Sequence, residues 1–162
     1  MFKIARLPGC CACARLQSQS CRHLAAGYRA ALGLQSAHAT QALAVPASKG
    51  TGFVKPDVYS TPWMISDMEY QVRDMILAHL LPGEDSVGVR VEFDHTAATL
   101  IGEEVVIETS VVEVDGRKVV SECSISDRLG VLGTGVHTRF IVDTAATETR
   151  LLERKLRLAQ AK

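Results

Sequence analysis

Acidic residues are missing from the first 56 positions, although the chain of 162 residues carries 18 of them. The same stretch holds seven Lys or Arg, so the zero formal charge of the chain conceals a split. From Asp57 onward eleven basic residues face eighteen acidic ones, a net charge of −7. That leaves no basic stripe to neutralise phosphates, which excludes nucleic acid as a partner. Aromatic residues make up only 5% of the chain, and cysteine occurs once after Cys21. A disulfide scaffold is therefore excluded. No run of eighteen apolar residues occurs, so no membrane-spanning helix is expected. Also absent are the Gly-x-Ser-x-Gly elbow, the His-Glu-x-x-His helix, the phosphate loop and the dinucleotide fingerprint. What is present is an apolar fraction of 47% with 22% charged residues, a composition that supports one globular domain.

The acid-free segment reads as an address. Residues 1–46 are rich in Ala, Ser, Gln and Leu, with Arg6, Arg15, Arg22 and Arg29 spaced through them. This is the composition of an organellar transit peptide, whereas a secretory signal would need an apolar stretch that the arginines here interrupt. A helix over Leu16 to Leu34 would place Leu24, Tyr28 and Leu32 on one face. Import into the mitochondrial matrix is the expectation, with the chloroplast as the competing destination. Cys10, Cys11, Cys13 and Cys21 lie in this segment without a histidine at finger-like spacing, so no metal site is expected. Cys123 reads as a small buried apolar residue on a strand.

Residues 47–143 read as one long helix followed by a meander of strands. Ala47 to Val54 is linker. Ser60-Thr61-Pro62 then marks a helix start, with a hydroxyl residue at the cap and proline in the first turn. Helical spacing runs through Met64, Met68, Val72, Met75, Ile76 and Leu80, and Pro82-Gly83 ends it. Val87, Val89, Val91 and Phe93 alternate with polar residues as a half-buried strand does. Glu103 to Val114 is a second strand, Asp115-Gly116 a two-residue hairpin turn. Val119, Ser121, Cys123 and Ile125 face inward on a third strand, and Val131 to Val142 forms the fourth. Residues 144–162 suggest a terminal helix with a basic outer face. One helix with consecutive antiparallel strands predicts an α+β fold, its sheet wrapped around the central helix. Four strands alone leave open edges, and pairing of two copies through an edge is expected.

The candidate functional residues are those whose polarity conflicts with the face they occupy. Asp67 and Asp74 fall opposite the apolar face of the helix and read as solvated charges. Glu69 stacks with Ile65, Val72 and Ile76 at the shoulder of that face, where partial burial would raise its pKa and suit it to act as a base. His95 continues the inward series of its strand; a bonded core histidine and a catalyst are both open readings. An inward His95 and a shoulder Glu69 could approach each other. Thr61 has an adequate structural role as a cap, and its hydroxyl also stands where a helix N-terminus would stabilise an anion. Gly88, a glycine inside a strand, suggests close approach of a ligand or backbone. His137 and Arg139 share one face of the last strand, which reads as the surface.

Several of these stretches resemble the fluoroacetyl-CoA thioesterase-like branch of the hotdog fold. They are Val58-Tyr59-Ser60-Thr61-Pro62-Trp63-Met64 with Met68-Glu69, Leu81-Pro82-Gly83-Glu84, Ser86-Val87-Gly88 and His95-Thr96-Ala97-Ala98-Thr99. Val114-Asp115-Gly116-Arg117 and Gly133-Thr134-Gly135-Val136-His137-Thr138-Arg139 extend the match, which covers about Lys55 to Val142. The resemblance implies a homodimeric acyl-CoA thioesterase needing no cofactor, with the acyl site at the dimer interface. It implies catalytic roles for Thr61, Glu69 and His95, and substrate contacts at Gly88 and Arg139, the latter toward a coenzyme A phosphate or an acidic neighbour. Two departures stand out. Lys55 occupies the position of the family's gating phenylalanine, with Phe53 nearby, which argues against fluoroacetyl selectivity. The first strand of the fold is hard to find and is short, irregular or built from Gln41 to Val45. The alternative reading is a non-catalytic acyl-CoA or acyl-carrier binding protein. A hotdog hydratase is weaker, because its Asp-x-x-x-x-His arrangement is missing.

Overall fold

The structure, a computed structural model, describes residues 40–47, 50, 52 and 55–161. Elements follow in the order β1 (Thr40–Pro46), α1 (Thr61–Leu77), β2 (Glu84–His95), β3 (Glu104–Asp115), β4 (Lys118–Asp127), β5 (Gly130–Asp143) and α2 (Thr144–Gln160). All strand pairs are antiparallel, and the sheet order is β1-β3-β4-β5-β2. The expected helix over Leu16 to Leu34 and four of the cysteines lie outside the described residues. The elusive first strand is β1, paired with β3 from Thr40↔Ser110 to Pro46↔Glu104. The folded domain thus takes in residues that composition alone groups with the leader.

Helix α1 lies across one face of the sheet, against β1 to β4. Its start follows from Pro62, whose missing N–H costs nothing in the first turn. Ser60 is the N-cap with an extended backbone, and its carbonyl accepts from the Trp63 and Met64 amides. Its side chain, however, makes no capping hydrogen bond. Met64, Met68, Val72, Met75 and Ile76 are buried against Val105, Ile107, Val119, Cys123, Ile125 and Ile141. Each such side chain contributes about 1.5–3 kcal/mol by leaving water. Cys123 is part of this core, and burial pushes its thiol up to about 12. The hairpin between β3 and β4 turns one residue later than its sequence suggests: Asp115 still pairs with Lys118, leaving Gly116 and Arg117 as the loop.

Strands β2 and β5 do not face as their sequences suggest. In β2 the register with β5 slips between Gly88 and Arg90. A bulge of this kind inserts one residue and reverses the facing of everything beyond it. Ser86 and Gly88 therefore face α1 from one side of the bulge, and Val91, Phe93 and His95 from the other. Val87 pairs with Phe140 on the outer face instead of continuing the inward series. In β5, Gly133, Gly135, His137 and Arg139 stand opposite Ile125, Cys123, Ser121 and Val119 of β4, all inward residues. His137 is consequently buried, not surface-facing, and Arg139 is only 3% exposed. Gly133 and Gly135 are small because the Phe93 ring covers them: a Cβ on Gly133 would fall 2.5 Å from Phe93 Cζ.

Helix α2 is capped by Asp143, which accepts from the Ala146 amide at 2.7 Å, and none of its residues is buried. Among the described residues no helix is long and apolar enough to cross a membrane.

Candidate active site along the central helix

At the N-terminus of α1 the Thr61 hydroxyl lies 2.6 Å from His95 Nδ1, while His95 Nε2 lies 2.9 Å from the Ala97 carbonyl oxygen. A carbonyl only accepts, so Nε2 carries the ring hydrogen. Nδ1 is then the acceptor, and Thr61 donates its one proton to it. Ser60, not Thr61, holds the cap position, and the Thr61 oxygen presents lone pairs to the surroundings. The bulge in β2 makes this contact possible by returning His95 to the inner face.

Two turns along the helix stands a charged cluster. Arg139 Nη1 donates to Glu69 Oε1 at 3.1 Å, Nε to Ser86 Oγ at 2.9 Å and Nη2 to the Ser86 carbonyl at 2.6 Å. The Glu69 side chain is 44% exposed and that of Arg139 4%. Burial pushes the guanidinium's pKa down, and Glu69 beside it acts in the opposite sense. Glu69 is thus a paired carboxylate at the mouth of a polar niche, not a lone acid at an apolar margin. Gly88 opens that niche: a Cβ there would stand 2.8 Å from Glu69 Oε1 and 3.0 Å from His137 Nε2. The glycine is required by these side chains, since its own backbone is ordinary strand.

His137 is fully buried, and among the described residues neither ring nitrogen has a hydrogen-bond partner. Leaving a buried donor or acceptor unmet costs about 1–3 kcal/mol. Burial first, and Arg139 second, push the imidazole's pKa down. Ser86 and His137 were not legible as site residues. Both faces of β5 carry apolar residues, so alternation does not choose between them; the phase shared with Ile141, a core residue, is the one signal that does.

The two clusters do not touch. Glu69 follows Thr61 by eight residues, about 12 Å along a helix axis, and Glu69 and His95 share no hydrogen bond or ion pair among the described residues. Asp67, read as solvated, instead accepts a hydrogen bond from Tyr59, whose pKa burial and that carboxylate push up. Asp74 remains a surface charge. A groove of about 790 Å³ on the sheet, with Glu92, Asp94, Glu108 and Glu122 in its lining, includes none of the candidate residues.

Solved structures share this architecture. A hot-dog-like protein from Thermanaerovibrio acidaminovorans matches with a TM-score of 0.65 and 26% identity over 71% of this chain and 89% of that one. A hypothetical protein of Thermus thermophilus, a thioesterase superfamily member, matches with a TM-score of 0.65 and 26% identity over 76% and 94%. The fluoroacetyl-CoA thioesterase FlK matches with a TM-score of 0.63 and 27% identity over 70% and 91%. A central helix wrapped by an antiparallel sheet, in this company, defines a hotdog-fold protein. The family model for the fluoroacetyl-CoA-specific thioesterase, FlK, matches residues 40–145, beginning with β1, and the chain belongs to that family. The curated fluoroacetyl-CoA thioesterase of Streptantibioticus cattleyicolor is 32% identical over 87 residues, 54% of this chain. The match spans 63% of that relative, less than two thirds of its length.

Proposed function

We propose that the chain hydrolyses acyl-CoA thioesters as a homodimer, each site being built from both subunits. The observation that carries this reading is the pairing of Glu69 with a buried arginine beside Gly88, in a member of a thioesterase family. Support for the dimer comes from β2, which ends the sheet with Val87, Val89 and Val91 exposed by 40%, 56% and 36%. An edge that apolar invites pairing. Two-fold antiparallel pairing of β2 about Val91 would set Gly88 and Glu69 near the partner subunit's His95, closing the gap that separates the two clusters within one chain.

In this arrangement water loses a proton to Glu69 as its oxygen bonds the thioester carbonyl carbon. Arg139 holds the carboxylate in place, and the oxygen of the partner subunit's Thr61, its own proton committed to the histidine beside it, accepts the water's second hydrogen. The positive end of the partner subunit's α1 meets the developing oxyanion. Collapse breaks the C–S bond, and the proton on Glu69 passes to the departing thiolate. Direct attack by Glu69, through an anhydride that water then opens, uses the same groups.

Coenzyme A thioesters are the substrate class because a variant of FlK, 27% identical to this chain, was solved with fluoroacetate and CoA. With Lys55 exposed at the gating position, the reading carries no fluoroacetyl preference. The acid-free residues before Thr40 serve in this reading as a mitochondrial import leader. A reporter fused behind them should enter the matrix, and a cytosolic reporter would dismiss that part.

Thiol release from a panel of short- to medium-chain acyl-CoAs tests the activity. Glu69→Gln keeps the side-chain shape and should lower turnover by about 10²- to 10⁴-fold. Wild-type inactivity on every member, with dimeric folded protein binding acyl-CoA, would favour the non-catalytic alternative.

A further inference from the structure

His137 lies on the inner face of β5 with no accessible surface, and among the described residues nothing bonds either ring nitrogen. Buried polar groups kept for stability are bonded as a rule; this one is not, and an aliphatic side chain would serve the core better. What the ring faces is informative. The position of a Gly88 Cβ lies 3.0 Å from His137 Nε2, 2.8 Å from Glu69 Oε1 and 3.6 Å from Arg139 Nη1. Three polar groups from α1 and β5 converge on one point of β2 that only glycine leaves uncovered. Each of the three Arg139 nitrogens already donates a hydrogen bond there, to Ser86 or to Glu69. His137 is the member of the cluster with bonding capacity in hand.

We infer that His137 is a positioning residue that fixes the attacking water beside Glu69 through Nε2. This rests on the thioesterase reading above. The neighbouring carboxylate oxygen selects the tautomer: an N–H directed toward it is favoured over a lone pair, so Nε2 donates. Water held there accepts from His137 with one lone pair and donates one hydrogen to Glu69. Its second lone pair is directed at the carbonyl carbon and its second hydrogen at the partner subunit's Thr61, which completes a tetrahedral set. Burial next to Arg139 keeps the imidazole neutral, so it orients the water without competing with Glu69 for the proton.

His137→Leu and His137→Gln separate this role from a structural one, since Gln keeps an N–H near the Nε2 position. Turnover number, KM and thermal midpoint are measured for each dimer against wild type. The Leu variant should lose about 10- to 100-fold in kcat with KM little changed and a thermal midpoint equal to or above wild type. The Gln variant should recover most of that loss. A Leu variant with wild-type kcat overturns the assignment, as does one whose midpoint falls and is restored by Gln. Wild-type inactivity on all acyl-CoAs sinks the thioesterase reading itself, and the water-positioning role with it.

Discussion

The two ends of the functional stretch of α1 hold their polar groups by different physics. At the N-terminus, Thr61 and His95 form a hydrogen-bonded couple whose ring orientation is set by a backbone carbonyl. Two turns on, Glu69 is held by a guanidinium that three acceptors keep buried. The hydrogen-bonded couple fixes a direction, because the hydroxyl proton has one place to go. The charged cluster fixes a charge, because moving Glu69 would leave Arg139 unpaired in the interior. A helix that carries both, about 12 Å apart, serves one reaction centre only if another surface brings them together.

Breaking the charged end should have the largest effect. Arg139→Met removes the partner of Glu69 and the donors to Ser86. It should lower stability by about 2–3 kcal/mol, less than for a fully buried pair because Glu69 is partly exposed. Turnover should fall on the order of 100-fold. Denaturant unfolding beside thiol release reads both quantities. At the N-terminal end Thr61→Val should cost roughly tenfold in kcat with little stability loss, and Thr61→Ser should restore it. Equal rates for Val and Ser would show that the hydroxyl is idle.

A weaker effect distinguishes the ends by pH. His137 has a folded-state pKa below its unfolded value. The unfolded chain therefore binds the proton first, and stability falls as pH drops below about 6.5 toward the folded value. His137→Leu should remove that part of the acid limb and leave stability above pH 7 unchanged or raised. The smallest effect belongs to Ser60. Its side chain makes no cap bond, so Ser60→Ala should stay within about 0.5 kcal/mol, below the usual ~1 kcal/mol of a working cap. A full capping loss would contradict the hydroxyl geometry.

The helix and the meander of strands were legible because spacing and turn chemistry agree over Ser60 to Val142, and the hotdog architecture was implied by the resemblance of those stretches to the family. Thr61, Glu69, His95 and Gly88 were legible as residues at odds with their positions. The sharper features were hidden by one backbone irregularity and by one ambiguous alternation. One extra residue at Val89 reverses the facing of β2, which took Val87 out of the inward series. Alternation in β5 is apolar on both faces, which left His137 and Arg139 assigned to the surface. The partnership of Glu69 does not follow from its own helix, since Arg139 arrives from β5 and is itself held by Ser86 of β2.

Whether one site draws on both subunits is tested most directly by mixing two inactive proteins. Glu69→Gln and His95→Ala variants are unfolded together, refolded at equal amounts and assayed for thiol release. In a two-fold dimer with a shared site, each mixed dimer regains one intact site, so roughly a quarter of wild-type activity should return. Activity that stays at the level of the separate variants, with mixed dimers demonstrated, would place Glu69 and His95 in one subunit and contradict the account.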